Sequence, residues 1–181
     1  MSESGFYEQL LSILTKEQIL CAEPMSSHTT FRVGGPADYY VMPRPDQVAA
    51  VAALCRREQM PCQIVGNGSN LLVGDKGIRG VVLALSRQAA DVQAEGNRIR
   101  AGAGALLSQA AAAALKAGLG GMEFAAGIPG SVGGAVVMNA GAYGGELKDV
   151  LTQTVVLTKE GERQILSNKD LELSYRHSCI Q

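Results

Sequence analysis

Two stretches of this chain have a composition suited to holding an anion: Gly66-Asn67-Gly68-Ser69-Asn70-Leu71 and Pro129-Gly130-Ser131-Val132-Gly133-Gly134. Each sets several main-chain N–H groups and one hydroxyl, Ser69 or Ser131, within a few residues. Successive N–H groups arranged in this way form an anion-binding concavity. Glycine also lets a ligand approach the main chain without meeting a Cβ. The second stretch belongs to the segment Gly118 to Gly145, which packs ten of the chain's 22 glycines into 28 residues. Each glycine in regular structure costs about 0.5–1 kcal/mol, so ten of them need a reason. A run of tight turns is the competing reading, and it explains single glycines better than it explains the cluster. Two such loops suit a diphosphate.

The common nucleotide motifs fit neither loop. Leu71 stands where a Rossmann G-x-G-x-x-G needs its third glycine, and the chain has no G-x-x-x-x-G-K-[ST]. Gly102-Ala103-Gly104 resembles a Rossmann start, but Leu107 fills the third-glycine position and the stretch reads as a turn before a helix. The cysteines Cys21, Cys55, Cys62 and Cys179 have no C-x-x-C spacing, and with only His28 and His177 beside them no metal site is expected. Reduced thiols and surface or supporting histidines are the expectation.

Length and charge narrow the classes further. With 181 residues and 46% hydrophobic content the chain can build a real core as one large domain or two small lobes. Its 16 basic and 17 acidic residues are mixed along the sequence, leaving a net charge of −1 and no footprint for nucleic acid. The longest helical apolar stretch, Ala105 to Leu115, falls well short of the ~20 residues needed to span a bilayer, and no basic-then-apolar leader is visible. A cytoplasmic monomer without membrane contact is expected.

The elements that would position the loops follow from periodicity. Phe6, Leu10, Leu11, Ile13 and Leu14 recur at helical spacing and predict an amphipathic helix over the first twenty residues. Thr29 to Asp38 reads as a strand ending in a turn, followed by the β-prone run Tyr39 to Met42. A helix capped by Asp46 runs through Arg57, and the glycine loop sits between two strand-like runs, Gln63 to Val65 and Leu71 to Val73. Gly80 to Leu85 closes a β-α-β pattern, with the Gly66 loop at a strand end, where open α/β sheets bind ligands. Ile99 to Gly104 then leads into a helix over Ala105 to Ala117 that stops at Gly118. Thr152 to Thr158 and Arg163 to Leu166 form a hairpin around Lys159-Glu160-Gly161-Glu162. Ser167 and Asp170 have capping-box spacing for a short helix that delivers Ser174-Tyr175-Arg176.

Five ordered motifs carry a resemblance to a known family. They are Thr29-Thr30-Phe31-Arg32-Val33-Gly34-Gly35-Pro36-Ala37-Asp38, Gly66 to Leu72, Gly127-Ile128-Pro129-Gly130-Ser131-Val132-Gly133-Gly134, Met138-Asn139-Ala140-Gly141-Ala142-Tyr143-Gly144, and Ser174-Tyr175-Arg176. From about residue 25 onward the chain resembles the MurB family of UDP-N-acetylenolpyruvoylglucosamine reductases of bacterial cell-wall synthesis. The resemblance implies an α+β fold of the vanillyl-alcohol-oxidase (PCMH) type, in which two lobes enclose FAD. It implies an N-terminal helix over 1–22, a first FAD-binding lobe over 23–88 and a second over 89–181.

It also implies residue roles. Gly66, Asn67, Gly68, Ser69, Asn70 and Leu71, with Gly127, Ile128, Pro129, Gly130, Ser131, Gly133 and Gly134, would hold the FAD pyrophosphate, and Asn139, Ala140 and Gly141 would lie by the ribityl chain and flavin. NADPH would reduce FAD, and hydride would then pass to the enolpyruvyl double bond of UDP-N-acetylglucosamine enolpyruvate, giving UDP-N-acetylmuramate for peptidoglycan. Arg176 matches the family's catalytic arginine, whose guanidinium can bind the enolpyruvyl carboxylate bidentately. Tyr175 would support it at the substrate. The family continues past this segment into a lobe with a serine proton donor and a catalytic glutamate, whereas this sequence stops at Gln181. Ser178 lies two residues after Arg176 and does not match the donor's motif. An FAD-binding portion of a longer reductase is therefore expected, with a non-catalytic FAD-binding module or another oxidoreductase of the same flavin fold as alternatives.

Overall fold

Val81-Val82-Leu83-Ala84 is apolar at every position, which suits a strand covered on both faces. In the computed structural model, which describes residues 3–85 and 87–180, that run lies in the central strand β4 (Ile78–Ala84). β2 (Pro36–Val41) and β3 (Cys62–Val65) flank it in parallel, and β1 (Ile19–Pro24) adds antiparallel to β2, giving the order β1-β2-β4-β3. Side chains of a strand alternate between its faces. Tyr39, Val41, Val81 and Leu83 accordingly meet Phe6 and Leu10 of α1 (Glu3–Leu11) and Val51, Leu54 and Cys55 of α2 (Val48–Arg57). Tyr40, Val82 and Ala84 face the other way, onto Met25, Ala37, Val65 and Val73. Each fully buried Leu or Val in these layers contributes roughly 1.5–3 kcal/mol.

This sheet belongs to a unit that runs to Gln88 and takes in Lys159–Glu162, while a second unit comprises Ala89–Thr158 and the chain from Arg163 onward. The second unit holds three antiparallel hairpins: β5 (Val92–Glu95) with β6 (Arg98–Ala101), β7 (Gly141–Ala142) with β8 (Gly145–Glu146), and β9 (Gln153–Leu157) with β10 (Arg163–Ser167). Two helices, α3 (Leu107–Lys116) and α4 (Val132–Val137), complete it. Its core gathers Leu107, Ala111, Phe124, Ala125, Ala135, Val136, Leu147 and Leu171. Alanines 110, 111 and 114 are buried along α3, whose last turn is followed by Gly118 at φ +68°. Among the described residues no helix is long and apolar enough to cross a membrane.

Several local expectations give way to side-chain bonds. The N-terminal helix ends at Leu11 rather than running through the first twenty residues, and its predicted first two residues lie outside the described ones, as does Gln181. Buried Gln18 draws the chain out of the helix: its Nε2 donates to the Met42 carbonyl and to Gln47 Oε1, both at 2.9 Å, while Gln47 Nε2 donates to the Ile13 carbonyl at 2.8 Å. The end of the expected helical segment is thus extended, as part of the strand β1.

Of the strand expected over Thr29–Asp38, only its end, from Pro36, is strand, as the start of β2; the segment before it is a turn, because Thr29 Oγ1 donates to the Val33 carbonyl at 3.0 Å and Arg32 sits at φ +54°. Leu71–Val73 forms no strand; buried Val73 plugs the core instead. Gln47, not Asp46, precedes α2, since Asp46 pairs with Arg44 at 3.3 Å. The Ser167–Asp170 bonds do form, at 2.8 Å from the Ser167 N–H and 2.6 Å from its hydroxyl, but no helix follows. Asn168 is tied by its side chain to the Lys148 and Leu151 carbonyls, and Glu172 turns to φ +50°.

Candidate functional site

The first glycine loop leaves β3 at Val65 and returns to the core at Val73, so both stems are held by the same apolar cluster. Between them Gly68 is buried at φ +64°, and a Cβ built there would run into the His28 carbonyl oxygen. Its own carbonyl accepts the Thr30 N–H at 3.2 Å. The Thr29–Asp38 motif is thereby the wall against which the Gly66–Leu71 loop is moulded. The Gly68 N–H, although buried, meets no acceptor among the described residues. A buried N–H left unpaired costs about 1–3 kcal/mol, which an incoming oxyanion would relieve. Ser69 is half-buried, Leu71 packs partly on the core, and Asn67 and Asn70 are exposed.

The second loop spends most of its donors on itself. Ile128, Gly130, Val132 and Gly133 give their N–H groups to the carbonyls of Ala125, Ile128, Ala105 and Ala103, at 2.7–3.2 Å. Ser131 Oγ accepts the Gly134 N–H at 3.3 Å and so caps α4. Gly133 packs on the preceding turn, where an added Cβ would lie 2.9 Å from Ala103 Cβ. The Ser131 N–H is the exception: Ser131 is 3% exposed, and among the described residues that N–H finds no acceptor. Gly127 has an ordinary φ and nothing within 4 Å of a built Cβ, so the chain itself imposes no need for glycine there. Each loop, taken by itself, therefore offers one orphaned buried donor, and the second has an open glycine edge. This donor chemistry fits the diphosphate of FAD.

From α4 the chain passes into Asn139, which is 4% exposed at φ +44°. Its Nδ2 donates to Glu146 Oε2 at 2.7 Å and to the Ser174 carbonyl at 3.1 Å, while its Oδ1 accepts the Lys148 N–H at 2.9 Å. The side chain is committed to organising its surroundings, and Ala140 and Gly141 follow it into β7. Ser174 and His177 exchange main-chain bonds at 3.2 and 3.1 Å, closing a tight turn with Tyr175 and Arg176 at its tip. Arg176 is exposed at φ +52°, and Tyr175 is 87% exposed. Both stems of the turn are fixed: Asn139 holds Ser174, and buried Ser178 Oγ donates to the Val137 carbonyl at 2.7 Å. Ser178 is thus a structural tie. The predicted residues 127–134, 139–141 and 175–176 are linked in one unit through α4, whereas Gly66–Leu71 belong to the other unit.

Glu146 and Lys148 were not among the residues singled out from sequence. Lys148 Nζ lies 2.8 Å from Glu146 Oε2, and that hydrogen bond, followed by the one from Asn139, holds the Glu146 carboxyl below the usual carboxylate range. The same contact with Glu146 raises the Lys148 ammonium. A lowered carboxylate pKa contributes stability that is complete above the unfolded value and is lost as pH falls through the folded one. Acidification should loosen the Asn139 crosslink, seen as movement and broadening of the Asn139 side-chain amide resonances in NMR. Glu146→Gln should make those resonances insensitive to acid, and an unchanged acid response in that variant would refute the link.

Sequence reasoning also missed a hollow of about 460 Å³ beside β7–β8, lined by Gly121, Glu123, Phe124, Tyr143, Gly144 and Gly145. Tyr143 on its rim is 98% exposed. The signal was present in the alternation of aromatic and glycine, but the fold had to bring residues 121–124 beside 143–145.

With this geometry in place, comparison with known proteins is specific. A sequence model of the FAD binding domain family matches residues 37–167. The chain is 49% identical to a UDP-N-acetylenolpyruvoylglucosamine reductase of Agathobacter rectalis, across 97% of this chain and 60% of that relative. The solved UDP-N-acetylenolpyruvylglucosamine reductase (MurB) of Thermus caldophilus superposes with a TM-score of 0.71 at 34% identity, over 86% of this chain and 55% of that one. A VAO-type flavoprotein of Myceliophthora thermophila C1 shares the fold, with a TM-score of 0.56 at 18% identity over 75% of this chain and 28% of that one. The chain spans about 60% of the length of the curated relatives it matches. The fold is the α+β, vanillyl-alcohol-oxidase type read from the motifs.

Proposed function

The chain belongs to the FAD binding domain family, and from that premise we propose that it is the cofactor-binding portion of a UDP-N-acetylenolpyruvoylglucosamine reductase, working in the cytoplasm on peptidoglycan precursors. The observation that carries the FAD assignment is the pair of orphaned buried donors, Gly68 N–H and Ser131 N–H, one in each glycine loop. Gly68 and Ser131 each offer, in their own loop, one main-chain donor suited to a phosphate oxygen, Gly127 leaves the edge of its loop open, and Asn139–Gly141 set the chain alongside the ribityl and ring portions. When bound, FAD supplies hydride transfer, with NADPH as the reductant. Arg176, on a turn pinned at both stems, binds the enolpyruvyl carboxylate of UDP-N-acetylglucosamine enolpyruvate and stabilises the charge that develops there. Tyr175 flanks that substrate.

A titration tests the reading. Purified chain should take up FAD with quenching of flavin fluorescence, and FAD at 100 times its dissociation constant should stabilise the fold by about 2.7 kcal/mol. Gly127→Val places bulk where the chain has no atom within 4 Å. It should weaken FAD at least tenfold while leaving the melting of FAD-free protein nearly unchanged. A parent chain that takes up no flavin would overturn the assignment.

A further inference from the structure

We infer that Glu23, His28 and Tyr40 form a strut that sets the shape of the Gly66–Leu71 loop, with His28 as a positioning residue for the anion that loop receives. The inference rests on the reading of that loop as an FAD cradle, and it adds residues outside the glycine motifs.

His28 is fixed from two directions. Its Nε2–H donates to Glu23 Oε1 at 2.8 Å; an ionised carboxylate only accepts, which places the proton on Nε2. The imidazole also stacks on Tyr40 with ring centroids 4.0 Å apart and an interplanar angle of 21°. Tyr40 is 6% exposed and packs in the same cluster as Val65 and Val73, the two residues at which the glycine loop begins and ends. Burial, and then the Glu23 charge, push the Tyr40 phenol up, so the ring stays neutral and serves as a flat support. The strut's base is therefore the loop's own footing.

Its other end is the main chain of residue 28. The His28 carbonyl oxygen occupies the space a Cβ on Gly68 would need, and the neighbouring Thr30 N–H holds the Gly68 carbonyl at 3.2 Å. The segment around it is zipped to the far side of the loop: Met25 and Ser26 donate to the Gly35 and Gly34 carbonyls at 3.1 and 3.2 Å, and Gly35 donates to the Gly74 carbonyl at 3.0 Å. Loss of the imidazole would free His28 from both anchors and let its carbonyl withdraw from Gly68. The orphaned Gly68 N–H would then no longer be held where an oxyanion meets it.

The test uses the full chain with His28→Ala, His28→Gln, Glu23→Ala and the double variant His28→Ala with Glu23→Ala. His28→Ala should raise the FAD dissociation constant about tenfold and speed hydrogen–deuterium exchange at residues 66–71 more than elsewhere in the sheet. His28→Gln keeps an N–H for Glu23 and should recover most of the affinity. Glu23→Ala should weaken FAD in the same direction, and the double variant should be little worse than His28→Ala. A role in packing alone would lower the melting temperature of every variant while leaving FAD affinity and the loop's exchange relative to the sheet unchanged. That result, or an FAD dissociation constant in His28→Ala within twofold of the parent, overturns the inference. If the parent takes up no FAD, the cradle assignment fails, and the exchange data still decide whether the strut shapes the loop.

Discussion

Gly68→Ala should reduce FAD affinity roughly 10- to 150-fold and destabilise the first unit. The residue lies at φ +64°, where a Cβ costs roughly 1–2 kcal/mol, and that Cβ would collide with the His28 carbonyl oxygen rather than with a side chain able to swing away. Overpacking of this kind costs about 1–3 kcal/mol more. Since the opposing atom is backbone, relief must come from moving either the loop or residues 28–30, and both displace the Gly68 N–H. Loss of the one charge-assisted hydrogen bond from that N–H to a phosphate, at about 1.5–3 kcal/mol, corresponds to a fall in affinity of roughly 10- to 150-fold. Isothermal titration with FAD and a denaturant melt of FAD-free protein measure the two effects. Parent-like affinity in a folded Gly68→Ala protein would show that this loop does not hold the diphosphate.

Asn139→Ala should destabilise the second unit by roughly 3–5 kcal/mol. Three hydrogen bonds disappear from a side chain that is 4% exposed, at about 1 kcal/mol each, with more for the acceptors left buried. Alanine also tolerates φ +44° less well than asparagine, whose short amide favours that region. Beyond stability, the Ser174 carbonyl loses its anchor, so the Tyr175–Arg176 tip should gain mobility. Asn139→Ser, which keeps one short donor, should lose less stability and loosen that turn less than Asn139→Ala. Denaturant unfolding gives the stability, and exchange at residues 174–177 gives the mobility. A folded Asn139→Ala chain with parent-like exchange at that turn would disprove the coupling.

What could be read from sequence was whatever local pattern settles. The unbroken apolar run of β4, the alanine-rich α3 ending before Gly118 and the β9–β10 hairpin around residues 159–162 all follow from periodicity and turn residues that need no distant partner. The failures share one cause. Gln18 leaves the helical pattern because Gln47, 29 residues later, completes its buried amide pair. Asn168 cancels the capped helix because carbonyls 17 and 20 residues earlier claim its side chain. The candidate site divides the same way. Glycine spacing marks both loops, but only the fold shows that Ser131 spends its hydroxyl as an acceptor on a helix cap while its buried N–H stays unclaimed. Asn139 stands inside a recognisable motif, yet its purpose depends on partners 7, 9 and 35 residues away. Nothing in the local spacing of His28 points to Gly68.

That last separation has a consequence for the newborn chain. At about 5–20 residues per second of synthesis, the 35 residues between Asn139 and Ser174 take about 2–7 s to emerge. During that interval the asparagine and the helix before it are already on the outside of the ribosome, with the carbonyl they will anchor still to come. The scaffold is thus laid down first, and the turn that carries Arg176 is tied to it only when the Ser174 carbonyl arrives.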